Sequence, residues 1–205
     1  MTVPPGHQPP AAMVVPAFFV KQRITLMVNR YEVLAANPDG SEGHLLALAE
    51  QKRMKLKEEV VFYADESKTR PVFSFKARQR LDVSAEHDVF DEHGNPLGMF
   101  SKQFGASLLR STWNLSAPGI EAVGQERRLG IAILRRMWGV LPYVGDVWVP
   151  FVFHFDFVDT QGVTVLVSER QKTIKDRYTV SVPDPRLDFR VAASMAVALD
   201  ALQSR

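Results

Sequence analysis

Cysteine is absent from the 205 residues. That excludes a disulfide framework and any thiolate metal site, and it fits a reducing compartment. A large excess of one charge is also missing. Lys and Arg number 25 and Asp and Glu 23, for a formal net charge of +2. A protein that coats nucleic acid carries a stronger excess. No nucleic-acid partner is therefore expected, and any basic function must come from a local patch. A Gly-rich phosphate loop, a nucleophile elbow and an HExxH motif are likewise missing. The amino terminus lacks the basic start and long apolar core of a signal peptide. The expected location is cytoplasmic, with peripheral attachment to the inner membrane face.

What is present suits one globular core. Apolar residues make up 46% and charged residues 23%, and this length favours a single domain. Residues 1–17 are rich in Pro and Ala. Pro4, Pro5, Pro9, Pro10 and Pro16 favour an extended, disordered arm. That arm is either a loose tail or a docking segment for other proteins.

Strand patterns dominate the rest. In VFSFKARQRLDV, Phe73, Phe75, Ala77, Leu81 and Val83 share one parity, with Gln79 the exception, while Ser74, Lys76, Arg78, Arg80 and Asp82 take the other. Period two puts the two sets on opposite faces of a sheet. In FVFHFDFVDTQGVTVLVSER, Phe151, Phe153, Phe155 and Phe157 alternate before a DTQG turn and a second strand, as in a hairpin. RYEVLAANPDGSEGHLLALAE, HDVFDEHGNPLGMFSKQF and STWNLSAPGIEAVGQER follow the same plan. Successive hairpins predict an antiparallel meander, rolled into a barrel or folded into a sandwich. LLALAEQKRMKLKEEVVFY fits strands or a helix.

The carboxy terminus decides between those closures. In VPDPRLDFRV, Asp184 is suited to cap a helix, with Pro185 at its first position and Asp188 near its positive end. A helix over 185–203 is predicted, about 28 Å long. From Val191 to Leu199 it carries no charge. That run is too short to span a bilayer. It also has no polar face on which to rest at a surface. The small side chains of Ala192, Ala193, Ala196 and Ala198 suit a narrow enclosure. A closed sheet around this helix follows.

The ending DRYTVSVPDPRLDFRVAASMAVALDAL resembles the close of the tubby carboxy-terminal-domain-like superfamily, in its LURP-one-related and phospholipid scramblase-like branches. FFVKQRITLMVNRYEVLAANPDG, DEHGNPLG and STWNL resemble the same proteins. The similarity covers residues 18–203, with 129–150 poorly matched. It implies a mainly β fold, a closed antiparallel barrel of about twelve strands wrapped around a buried carboxy-terminal helix. Tubby proteins bind phosphoinositides through basic side chains, and scramblases are associated with calcium-dependent lipid movement.

A calcium loop needs oxygen ligands at its positions 1, 3, 5, 9 and 12 and Gly at 6. In DRYTVSVPDPRL only Asp176 and Asp184 comply. The cysteine-rich segment of scramblases is absent too. No metal and no cofactor are expected. His154 and Asp156 share a strand face, which suits a metal or acid–base pair or simply a polar face. No catalytic residue is assigned, and the protein is not expected to be an enzyme.

The basic stripe Lys76, Arg78, Arg80 projects from one strand face at intervals of about 7 Å. Guanidinium groups bind phosphates in bidentate fashion, so this stripe, with Arg53 and Lys55, is the candidate lipid- or anion-binding set. The alternative is a solvated outer face balanced by Glu58, Glu59 and Glu169. Residues 129–150 form a candidate helical insertion. Arg135, Arg136, Trp138, Tyr143 and Trp148 are its membrane-interface candidates; otherwise the insertion plugs one barrel end. The expected function is non-enzymatic binding of anionic phospholipid or phosphoinositide at a membrane surface. The alternatives are a protein-interaction scaffold, a lipid scramblase, and a carrier or enzyme using the barrel interior.

Overall fold

The computed structural model describes residues 12–24, 28–52, 59–78, 86–103, 112–126, 154–171 and 177–203. Its strands are β1 (Ala17–Ile24), β2 (Val28–Ala36), β3 (Glu42–Lys52), β4 (Glu59–Tyr63), β5 (Pro71–Ala77) and β6 (Glu86–Asp91). They continue as β7 (Pro96–Gln103), β8 (Thr112–Ala117), β9 (Ile120–Glu126), β10 (His154–Asp159), β11 (Thr164–Arg170) and β12 (Arg177–Ser181). Among the described residues one helix, α1 (Phe189–Gln203), follows. Each strand pairs antiparallel with its neighbours in sequence, and β1 closes the ring on β12. Phe18 faces Ala35 on one side and Val180 on the other. Closure leaves the sheet no edge strand to protect.

The hairpin turns at one rim share a local design. The N–H of Gly40, Gly94 and Gly162 donates to the carbonyl of Asn37, Asp91 and Asp159 at 2.9, 3.1 and 3.0 Å. Each glycine has φ near +80°, a conformation that costs other residues sterically. The Asp91 and Asp159 carboxylates also accept backbone N–H groups two and four residues on. These Asx turns explain why the sequence pattern punctuates so clearly there.

Alternation then sorts the faces. In β9, Ile120, Ala122, Gly124 and Glu126 are buried while Glu121, Val123 and Gln125 are exposed. Phe155 and Phe157 of β10 point inward, as their parity predicted. Gly124 makes room for Phe157: a Cβ there would lie 2.3 Å from the ring. Gly98 does the same for the helix, since a Cβ would meet Ser116 O at 2.7 Å and Val191 Cγ2 at 3.3 Å.

Every residue from Leu187 to Ala201 is buried. The helix is enclosed on all sides, as its lack of a polar face required. Burial of Val191, Met195, Val197 and Leu199 contributes about 1.5–3 kcal/mol each. Charge enters only toward the helix ends. Arg190 is bound by Asp188, and Asp200 accepts from the Tyr178 hydroxyl.

Three expectations are corrected. The helix begins at Phe189, not 185, and its cap is Asp188, whose Oδ1 accepts the Arg190 N–H at 2.8 Å. Asp184 organises the preceding turn instead, accepting the Arg186 N–H at 2.9 Å. The end of the proline-rich arm is not loose. Met13 N–H donates to Asp188 at 3.0 Å, Met13 C=O accepts the Phe189 N–H at 2.8 Å, and Pro16 C=O accepts the Val182 N–H at 2.8 Å. The helix alternative for LLALAEQKRMKLKEEVVFY gives way to β3 and β4, with 53–58 outside the described residues.

Two substitutions in α1 should act in opposite directions. Met195 is fully buried, and Met195→Ala should cost about 2–5 kcal/mol. Ser194 Oγ is buried with no hydrogen-bond partner among the described residues. Ser194→Ala should raise stability by about 1 kcal/mol, because it removes an unsatisfied polar group. Urea midpoints of the two variants check both signs.

Candidate functional site

The barrel interior is occupied by α1 and the inward side chains, so chemistry is confined to the two rims and the outer wall. At the rim where the helix begins, cations are already engaged by acids. Arg186 donates to Asp184 from Nε at 3.0 Å and from Nη2 at 2.5 Å, to Asp159 at 3.2 Å and to Gly119 O at 3.1 Å. Arg190 binds Asp188 and lies 3.7 Å from Glu92. The Met13–Pro16 strap covers the helix start.

The carboxylates at this rim are held in their ionised form. Hydrogen bonds from Arg186 keep Asp184 below the ordinary carboxylate value. The Val163 N–H, then Gln161 N–H and Arg186, do so for Asp159. Burial pushes Asp91 upward, but bonds from Asn95 and His93 outweigh it. Arg186 is itself raised by Asp184 and Asp159.

The outer wall of β1, β2, β3 and β12 is self-neutralised. Arg177 pairs with Glu42 at 2.9 Å and lies over the Phe19 ring at 4.1 Å. Lys21 also binds Glu42. Arg30 reaches Glu66 at 2.5 Å, and Lys68 reaches Glu50 at 2.6 Å. Around β9 and β10 the wall carries an open groove of roughly 450 Å³, lined in part by Glu121, Asp156 and Asp159. Its charge repels an anionic surface. Among the described residues no group of three or more His, Asp and Glu side chains is placed to hold a metal ion. His154 lies 3.9 Å from Glu169 across the β10–β11 ladder.

The candidate basic residues distribute unevenly. Lys76 lies on the outer face of β5, exposed, with no ion pair among the described residues. Arg78, one residue beyond β5, is bound by acids from β6. Its Nε and Nη2 donate to Asp88 at 2.6 and 2.5 Å, and its Nη1 donates to Glu86 at 3.0 Å. Those bonds, Asp88 first, raise its proton affinity. Sequence reading missed Asp88 and Glu86 as partners. Arg53, Lys55, Arg80, Arg135, Arg136, Trp138, Tyr143 and Trp148 lie outside the described residues.

A closed meander of twelve strands around a buried carboxy-terminal helix defines a tubby-like barrel protein. The family model described as LURP-one-related matches residues 47–200. The chain belongs to the LURP-one-related family, within the tubby-like superfamily. No curated protein matches it. Among the described residues no helix is long and apolar enough to cross a membrane.

The carboxylate turns generate a pH prediction. Asp91, Asp159 and Asp184 have values lowered from 3.8 on folding. Their contribution is complete above that value and is lost as pH falls through the lower folded-state values. Urea titrations should show stability holding down to about pH 4 and dropping below it. Asp184→Asn should lower stability at neutral pH and flatten the acid limb.

Proposed function

We propose that the protein is a non-enzymatic membrane-surface protein that binds anionic phospholipid through one rim of its barrel. The observation behind this is topological. The connections 25–27, 53–58, 78–85, 104–111, 127–153 and 171–176 all join strands at the rim where α1 ends. They carry twelve Lys and Arg residues against four Asp and Glu. Arg53, Lys55, Arg80, Arg135 and Arg136 belong to that set, with Trp138, Tyr143 and Trp148 among them. The opposite rim carries Asp39, Asp65, Glu66, Glu92, Asp184 and Asp188 against Lys68, Arg70 and Arg186. The small net charge thus conceals a basic end and an acidic end. A basic end attracts an anionic leaflet at about 1 kcal/mol per Lys or Arg near the surface. Trp and Tyr, which occur in the same connections, are residue types that suit the headgroup layer.

A cytoplasmic location with peripheral attachment agrees with this reading. Scrambling would need more than surface binding, and in the segment matching the proposed calcium site of scramblases, residues 176–187, Arg177–Ser181 form the strand β12. A carrier using the interior would need space that α1 fills.

The full chain should float with vesicles of phosphatidylcholine and phosphatidylglycerol and not with phosphatidylcholine alone. Binding should weaken as salt shortens the Debye length. Arg53→Ala, Lys55→Ala and Arg80→Ala together should lower apparent affinity on the order of a hundredfold. Flotation of this variant equal to that of the unaltered chain would remove the rim from the account.

A further inference from the structure

Arg78 stands at the basic rim, yet its fork is occupied. A guanidinium offers five N–H donors in a fixed plane. Asp88 takes the Nε and Nη2 edge, at 2.6 and 2.5 Å, and Glu86 takes Nη1 at 3.0 Å. That bidentate edge is the one a phosphate oxygen pair would use. The backbone fixes the arrangement, because the Arg78 N–H donates to Glu86 O at 2.8 Å. Asp88 also lies directly across the ladder from Lys76. One carboxylate therefore opposes both described cations of the stripe.

We infer that Asp88 and Glu86 act as a built-in counter-ligand, holding Arg78 away from the anionic surface and restraining lipid binding at this rim. The inference rests on the lipid-surface reading above. Partial exposure makes the contact exchangeable. The side chains of Arg78, Glu86 and Asp88 are 32%, 24% and 21% exposed. The bidentate fork strengthens this contact, and its partial exposure leaves it open to screening and exchange, whereas a fully buried pair would be locked by the cost of stranding a charge. A phosphate oxygen pair arriving at the rim offers Arg78 the same geometry that Asp88 offers. Whichever anion is present at higher local concentration holds the guanidinium.

The test removes the counter-ligand without removing the fork. The full chain is floated with vesicles of phosphatidylcholine and phosphatidylglycerol in four forms. These are unaltered, Glu86→Gln/Asp88→Asn, the same pair with Arg78→Ala, and Glu121→Gln/Asp156→Asn. The last changes net charge equally on the wall of β9 and β10. The unmasked pair should bind about three- to fivefold more tightly, the range set by a surface ion pair. Adding Arg78→Ala should abolish that gain, and the control pair should gain less. Thermal melts verify folding, and Asp88→Asn alone serves if the double variant is unstable. A gain that survives Arg78→Ala overturns the inference. So does an unaltered chain that floats while the unmasked pair floats no better; the lipid-surface reading then stands. If no form floats, both fall.

Discussion

A helix with no wet side must have its whole circumference covered, and covering it must not create new unsatisfied backbone. Those two demands govern the molecule. An open sheet bent over α1 would leave unpaired N–H and C=O groups along two edges. A second layer of helices would need apolar stripes that the described strand segments, with their period-two alternation, do not supply. Closure of β1 on β12 meets both demands at once. The inward residues then face a helix built of alanine and valine, and the wall comes close where glycine permits it. Gly98 against Val191 and Gly124 beneath Phe157 are the points where volume is exchanged across the core.

Enclosure also dictates where charge can stand. Arg190 is buried at the helix start and stays ionised because Asp188 binds it and Glu92 lies near. Asp188 serves twice more, capping the helix and accepting the Met13 N–H. The strap is thus part of the helix cap, and the first described residues complete an element that lies at the other end of the chain. The helix start, the strap and the Arg186 clamp together knit one rim tightly. Its acids are consumed in holding the fold.

The degree to which this was legible follows from the range of each interaction. The inward parity of Phe73, Phe75, Phe155 and Phe157 is local and was plain in the sequence. So was the enclosure of α1, because composition alone denied it a polar face. The number of strands was not legible from the residues; it came with the family resemblance. The helix start was misplaced because Asp184-Pro185 and Asp188-Phe189 both satisfy local capping rules. The choice between them is made by Met13, some 175 positions away in sequence, which no local pattern reveals. The basic stripe was half legible. Parity put Lys76 and Arg78 on the outer face, but their opposition by Asp88 depends on the β5–β6 register. That register spans an eight-residue connection whose length sets no turn type.

Function on this scaffold is constrained by elimination within the described surface. The interior holds a helix, the wall of β1 to β3 spends its cations on its own carboxylates, and the groove on β9 and β10 is acidic. One rim is occupied by its own caps and clamps. The proposed lipid-surface reading turns to the other rim, which receives six connections rich in lysine and arginine. A barrel with opposite charge at its two ends also has a defined orientation in the field of an anionic leaflet. On the proposed lipid-surface reading, the acidic rim, with its docked strap, would face away from the leaflet and the basic rim toward it. The same closure that hides the helix therefore gives the molecule a direction, because a meander must place alternate connections at opposite ends.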